Sequence, residues 1–320
     1  MEARGLCVEH APPNRPAVPL LQRVDLALFP GELHALVGES GSGKTLAALA
    51  LMDLLPPGLR VSGGAVFLHG APRPASPTAW RGRGIGMVFQ DPLSALHPLL
   101  PVGDQLVDVL VTHHTISRAQ ARQRALDLLS SVGIAQPQAR ARLLPHALSG
   151  GMRQRVMLAL ALCGGPRVLL ADEPTTALDP LVASGVLALL DAQVAQQQLA
   201  VLLITHDLVL AAQHARTVAV MHAGSVVEQG PQHAVLRDAA HPYTRSLVRS
   251  RPHALKDPAL VLLAEAPPVR PGAWPPGCRY APRCAHATTE CRQTVPTLTP
   301  LDSGGSHQVA CFHPQRGGLP

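Results

Sequence analysis

The stretch Gly38-Glu39-Ser40-Gly41-Ser42-Gly43-Lys44-Thr45 spaces its residues as G-x-x-x-x-G-K-[ST], and the chemistry of that spacing is phosphate binding. Glycines let the backbone wrap closely round an anion and aim N–H groups at it. A helix that follows such a loop adds the positive end of its dipole. Lys44 is placed to reach β- and γ-phosphates, and Thr45 to put a hydroxyl on Mg²⁺. Only two of the 27 Lys+Arg residues are lysines, Lys44 and Lys256. A chain that otherwise favours arginine keeps lysine where a compact ammonium on a flexible stem is needed.

A second group of polar residues sits at the ends of apolar runs. Val168-Leu169-Leu170-Ala171 leads into Asp172-Glu173. A strand buried on both faces tolerates charge only at its tip, where ligands bind in α/β sheets. Asp172 is placed to hold Mg²⁺ through water, and Glu173 to polarise an attacking water. Leu203-Ile204-Thr205 leads in the same way into His206-Asp207, and His206 is placed to contact a γ-phosphate. Most of the 16 histidines need no functional explanation; His206 differs from them by standing at a strand end.

Elements to position these groups are legible. Leu6 and Val8, then Val24, Leu26 and Leu28, alternate with polar or small neighbours as half-buried strands do. His34–Gly38, Ile85–Gln90, Val168–Ala171 and Val201–Thr205 read as buried strands. A helix is expected from Lys44 to about Leu55, stopped by Pro56-Pro57-Gly58. Gln120–Val132 is another, with apolar Ala125, Leu128, Leu129 and Val132. Val218–Met221 and Ser225–Val227 form a hairpin around His222-Ala223-Gly224. Strands alternating with helices imply an α/β fold with a mostly parallel sheet.

Composition narrows the classes. The 320 residues are 47% hydrophobic and 15% charged, a globular balance. The most apolar region, Val156–Ala171, is broken by Gly164-Gly165-Pro166, and no stretch approaches the ~18 apolar residues of a membrane span. The N-terminus lacks a basic-then-apolar signal pattern, so the expected place is cytoplasmic. The net charge of +6 is scattered, and aromatics make up only 2%, which argues against a nucleic-acid platform.

Leu148-Ser149-Gly150-Gly151-Met152-Arg153-Gln154 resembles the LSGGQ signature of ABC ATPases. The phosphate loop, Gln90 after an apolar strand, this signature, Asp172-Glu173, Ala177-Leu178-Asp179 as the D-loop and His206 as the switch histidine stand in that family's order over residues 1 to about 235. The resemblance implies a P-loop ATPase core with an N-terminal antiparallel β subdomain, a helical insert at about 91–165, and a nucleotide-binding domain ending near residue 252. It implies a sandwich dimer in which ATP lies between one subunit's phosphate loop and the other's Ser149-Gly150-Gly151. It also implies Thr45, Gln90 and Asp172 as Mg²⁺ ligands, Glu173, His206 and Gln90 as catalytic residues, and Asp179 at the nucleotide. Met152 replaces the usual Gln. The N-terminal aromatic that often stacks on adenine is missing, and His10 is its weak substitute.

A narrower match joins Gly38–Thr45, Met87-Val88-Phe89-Gln90-Asp91-Pro92, Ser149–Val156 and His241-Pro242-Tyr243-Thr244. These resemble the dipeptide/oligopeptide/nickel importer branch. That resemblance implies a second, different ATPase subunit, two integral membrane permease subunits and an external solute-binding protein, with the chain peripheral on the cytoplasmic face of the membrane. Peptide is the first expectation for the solute and nickel the second. A soluble ABC ATPase acting as a nucleotide switch is the reading from another class.

After about residue 252 prolines cluster, and a linker followed by a small Cys-rich tail domain, 253–320, is expected. Cys278, Cys284, Cys291 and Cys311 are spaced C-x₅-C-x₆-C-x₁₉-C. A reducing compartment disfavours disulfides, and the C-x₂₋₄-C knuckle of structural zinc is absent. Gly277-Cys278-Arg279-Tyr280-Ala281-Pro282-Arg283-Cys284 resembles the tail of the peptide-importer ATPases, which implies a [4Fe–4S] cluster on the four thiolates; Zn²⁺ and free thiols stay open. Cys7 and Cys163 read as small core residues.

Overall fold

The structure, a computed structural model, describes residues 1–13, 15–176, 178–250, 274–301 and 303–315. The elements are, in chain order, β1 (Glu2–His10), β2 (Val18–Ala27), β3 (Leu33–Val37), α1 (Lys44–Leu51), β4 (Leu59–Leu68), β5 (Ala71–Pro72), β6 (Ile85–Val88), α2 (Pro92–Ala95), α3 (Val102–His113), α4 (Arg118–Ser131), α5 (Pro137–Arg140) and α6 (Gly150–Leu162). They continue with β7 (Val168–Asp172), α7 (Pro180–Gln197), β8 (Ala200–Thr205), α8 (Leu208–His214), β9 (Thr217–His222), β10 (Ser225–Pro231), α9 (Gln232–Arg237), α10 (Pro242–Arg249), α11 (Thr289–Gln293), β11 (Thr299–Pro300) and β12 (Gln308–Val309). The chain divides into two compact units. The expected linker, with Lys256 and Pro258–Pro271, lies outside the described residues, as does Ala177.

The first unit holds Met1–Ala27, His34–Pro72 and Thr205–Pro320. Its antiparallel sheet runs β2-β1-β4-β5. Leu6 lies opposite Val24 and Val8 opposite Leu21, so the alternating apolar residues share one buried face. A second layer pairs β3 in parallel with β9, His34 beside Thr217 and Val37 beside Val220. β9 then turns back into β10 through Ala223 (φ 48°) and Gly224 (φ 84°). Two successive left-handed residues match the right-handed twist of the strands they join. β10 pairs with β12 and β12 with β11, which attaches the C-terminal residues to this layer. The core includes Val37, Val218, Val220, Val227, Tyr243 and Tyr280, with Cys278 and Cys284 packed against it.

The second unit holds Leu28–Leu33 and Arg73–Ile204. β6, β7 and β8 run parallel, Ile85 beside Val168 and Val168 beside Ala200. Their residues are buried on both faces, the burial that all-parallel sheets require. Helices α2 to α6 fill 92–162. α4 opens on a capping box in which the Ser117 hydroxyl and the Gln120 amide satisfy each other's backbone N–H, a reciprocal closure of two donors that a helix start would otherwise leave open. Among the described residues no helix is long and apolar enough to cross a membrane.

Two local expectations need correction. The helix after the phosphate loop ends at Leu51, not near Leu55. Asp53 adopts a left-handed φ of 55°, with Leu54 N–H on Leu49 O (2.8 Å) and Asp53 N–H on Ala50 O (3.1 Å). That double closure ends a helix without any proline. The strand β4, which follows Pro56-Pro57-Gly58, was not expected at all; its Gly63-Gly64 pair reads as a breaker, yet it pairs with β1 through Cys7 and Gly63.

Candidate functional site: a phosphate loop, a paired carboxylate edge and a four-thiol pocket

The phosphate loop belongs to the first unit. β3 is buried throughout and delivers the chain to Gly38. A Cβ there would stand 2.2 Å from the Met221 carbonyl oxygen, so only glycine fits. Gly43, at φ 105°, starts α1, and a Cβ there would come within 2.8 Å of Leu21. Lys44 is buried. Its ammonium donates to Gly38 O (2.9 Å), Glu39 O (3.0 Å) and Ser42 Oγ (3.5 Å). Gly224 N–H donates to Ser42 O at 2.7 Å and pins the far side of the loop. Thr45, Ser40 and Gly41 lie at or near the surface. A buried ammonium inside a turn of closely approached glycine backbone, at a helix start, suits a polyphosphate.

His206 is exposed, beside Asp207, whose carboxylate caps α8 through Val209 N–H at 2.7 Å. His10 is exposed at the end of β1, opposite Val18 and Leu59.

The carboxylates belong to the second unit. Asp172 is the last residue of β7, paired with Ile204, and is buried. Glu173 N–H still donates to Ile204 O at 2.9 Å, but Glu173 takes a left-handed φ of 45°. Its carboxylate accepts from the Thr176 hydroxyl at 2.8 Å and from the Gln90 amide at 3.2 Å. The structure therefore brings Gln90 and Glu173 together. It also adds Thr176, which the sequence reading missed; its only signal is a hydroxyl three residues beyond the carboxylate. Within the second unit, Asp172 and Gln90 carry oxygens of the hard type that Mg²⁺ takes.

Ser149 caps α6 by accepting Met152 N–H at 3.3 Å. Ser149 and Gly150 are exposed, whereas Gly151 turns inward; a Cβ on it would meet Val182 at 2.5 Å. Asp179 caps α7 through Val182 N–H at 3.0 Å. The starts of α6 and α7 thus adjoin at Gly151 and Val182, each closed by its own side-chain cap.

Cys278, Cys284, Cys291 and Cys311 line one cavity with His241, Tyr280, His286 and His313. Burial pushes the thiols of Cys278 and Cys284 up and that of Cys311 up to about 11, with neighbouring thiols adding to each. Among the described residues no group of three or more His, Cys, Asp or Glu is arranged to hold one metal ion. Cys163 is buried in the second unit, and burial raises its thiol to about 12. Cys7 is half-buried on β1, where it accepts Arg23 N–H at 3.3 Å.

The family described as ABC transporter matches residues 21–176, and the oligopeptide/dipeptide transporter C-terminal region matches residues 227–291. The chain is similar to the dipeptide transport ATP-binding protein DppD of Escherichia coli, 40% identical over 300 residues that cover 92% of this chain and 90% of that protein. It is similar to the oligopeptide transport ATP-binding protein AppD of Bacillus subtilis, 38% identical over 92% of this chain and 91% of that one. Among solved structures it resembles a dimeric bacterial ABC transporter cassette, with a TM-score of 0.64, 26% identity, and coverage of 72% of this chain and 98% of that one. It also resembles the cbiO1 subunit of a Clostridium perfringens ABC transporter complex, with a TM-score of 0.61, 27% identity, and coverage of 73% and 90%.

Proposed function

The chain belongs to the ABC transporter ATPases, in the branch with an oligopeptide/dipeptide transporter C-terminal region, and from that premise we propose that it is the ATP-hydrolysing subunit that powers uptake of dipeptides or oligopeptides. The observation that carries the reading is the Glu173 carboxylate, turned off the end of β7 and held by Thr176 and Gln90. The relatives are dipeptide and oligopeptide proteins, so peptide is preferred to nickel, and an importer motor to a free-standing nucleotide switch.

Each site residue then has a task. The loop from Gly38 to Gly43 and the Lys44 ammonium bind the β- and γ-phosphates. Thr45 on the phosphate loop, and Gln90 and Asp172 in the second unit, are the residues that would hold Mg²⁺, which would neutralise phosphate charge when bound. Glu173 orients the attacking water and takes its proton, with His206 against the γ-phosphate. His10 covers the adenine. The exposed Ser149 and Gly150 at the start of α6 meet the phosphates of nucleotide bound to a second ATPase subunit, with Asp179 nearby. That second subunit is a different chain, and the pair works on two membrane permease subunits fed by a solute-binding protein. The assembly places this chain on the inner face of the membrane.

For the thiol pocket, Cys278, Cys284, Cys291 and Cys311 line one cavity, a set of four thiolate donors that lacks the C-x₂₋₄-C knuckle of structural zinc. A [4Fe–4S] cluster fits that donor set better than Zn²⁺. Cys278, Cys284, Cys291 and Cys311 would hold it, and iron, sulfide and zinc analysis of the purified protein decides between the two.

The test of the motor is Glu173→Gln beside Lys44→Ala. Glu173→Gln should bind ATP, lose turnover by about 100-fold or more and accumulate as a closed dimer with its partner. Lys44→Ala should lose nucleotide binding. Undiminished turnover in Glu173→Gln would sink the assignment.

A further inference from the structure

Glu39 is the one acidic residue of the phosphate loop, and two of its polar groups are held from the C-terminal part of the chain. Its backbone N–H donates to the Tyr243 phenol oxygen at 2.9 Å. Its carboxylate takes a two-pronged contact from the Arg283 guanidinium, Nη1 to Oε2 at 3.1 Å and Nη2 to Oε1 at 3.3 Å. Its carbonyl accepts from Lys44 at 3.0 Å, so the residue that holds the catalytic lysine is itself clamped from outside the loop.

Both clamps are themselves rigidly mounted. Tyr243 sits in the first turn of α10, which starts at Pro242 and is capped by the His241 ring. The His241 N–H and the Ala240 N–H both donate to the buried Glu228 carboxylate, at 2.9 and 2.7 Å. Arg283 ends the short turn Ala281–Arg283, directly before Cys284. Its side chain is 10% exposed, against 40% for that of Glu39, and its Nε is buried with no partner among the described residues. A guanidinium buried that far, with one nitrogen unsatisfied, is held there for its fork, which fixes the angle as well as the distance of a carboxylate. The His222 ring packs on Tyr243 at 4.3 Å and against Tyr280 at 5.3 Å, and its own turn pins Ser42 through Gly224 N–H.

We propose that Arg283 is a positioning residue for nucleotide: with Tyr243 it holds Glu39, so that the C-terminal region sets the shape of the phosphate loop and the affinity for Mg-ATP. Arg283 acts through Glu39 and the Lys44 ammonium that Glu39 binds. The inference rests on the ATPase reading above, and Lys44→Ala separates the two: if that variant binds ATP normally, the reading fails before the inference is reached.

The test measures binding of a fluorescent ATP analogue, and KM and kcat for Mg-ATP, in Arg283→Ala, Arg283→Lys, Glu39→Gln and the double variant Arg283→Ala/Glu39→Gln, in the full chain with its partner subunits. A charge-assisted pair whose carboxylate is partly exposed predicts a rise in Kd and KM of about fivefold in Arg283→Ala, with kcat changed much less. Arg283→Lys should recover part of the loss, because charge returns without the fork. The double variant should be no worse than Glu39→Gln alone, since both remove one contact. The Arg283→Ala effect should shrink in high salt. Unchanged affinity in Arg283→Ala, or losses that simply multiply in the double variant, would overturn the proposal. If Arg283→Ala does not fold, Glu39→Gln, at a half-exposed position, still decides: native affinity there rejects the clamp, and weakened affinity supports it.

Discussion

His34 offers a test of how the strand that feeds the phosphate loop is held. It lies on β3, four residues before Gly38, and is buried. Its Nδ1 meets the Thr217 hydroxyl at 2.6 Å, while its Nε2 has no partner among the described residues. Burial therefore holds the imidazole neutral, with its pKa lowered from 6.5 to about 4. A folded value below the unfolded one means that the unfolded chain binds the proton first as pH falls. The stability this ring contributes is complete above pH 6.5 and is lost as pH drops through the window down to about 4. Between pH 7.5 and 4.5 the loss from this one ring is about 2.5 kcal/mol. His34→Leu keeps similar volume and removes the titration, at a pH-independent penalty of about 1 kcal/mol for the abandoned Thr217 hydroxyl. Urea unfolding of both proteins at the two pH values gives the comparison, and the drop should be smaller in the variant by about 2.5 kcal/mol. The buried His222 and His241 rings, lowered to about 4 and about 3, titrate in both proteins and cancel in the difference. ATP-analogue binding should fail in the same pH window as β3 loosens. Equal drops in wild type and variant would show that His34 reaches water and that the reasoning is wrong.

Gly38→Ala should abolish nucleotide binding and lower the melting temperature, because its Cβ would press on a backbone oxygen with no flexible neighbour to yield; differential scanning calorimetry with and without ATP reads both. Glu228→Gln should destabilise the fold by about 3 kcal/mol, since the carboxylate is fully buried and accepts from Ala240, His241 and His307; a denaturant midpoint like that of wild type would contradict this. Cys163, held protonated in the core, should resist a maleimide at pH 8 in the native protein and react on unfolding, a contrast that mass spectrometry resolves. Asp207→Ala should cost about 1 kcal/mol through loss of the α8 cap, visible as a shift in chemical denaturation.

How much was legible follows from where the physics is local. The phosphate loop could be read because glycine spacing, a preceding apolar run and a following helix are all encoded in one continuous stretch, His34–Leu51. The hairpin of β9 and β10 was equally local, its Ala223-Gly224 turn lying between two apolar runs. The end of α1 was misjudged because Asp53, not a proline, takes the left-handed turn, and an aspartate in that conformation leaves a weaker mark than Pro56-Pro57. β4 was missed because its strand character comes from pairing with β1, more than fifty residues earlier, and not from its own Gly63-Gly64. Thr176 and Arg283 lay beyond reach for the same reason. A hydroxyl and a guanidinium carry no sign of which carboxylate they will meet until the fold brings Glu173 and Glu39 to them.

The backbone at Glu173 shows why two adjacent carboxylates can have different tasks. In a strand, successive side chains point to opposite faces. Asp172 obeys that rule: it stays in register with Ile204 and remains buried. Were Glu173 to continue the strand, its carboxylate would be driven to the opposite, equally covered face, where a charge is expensive. The left-handed φ of 45° breaks the alternation one residue after the ladder ends. Such a conformation in a residue with a Cβ is strained by roughly 1 kcal/mol or more, and the bonds from Thr176 and Gln90 offset it. The strain therefore marks the point where the chain stops building a sheet and starts presenting a carboxylate outside it. The same geometry keeps Asp172 in the buried strand while Glu173 stands where a water molecule can reach it.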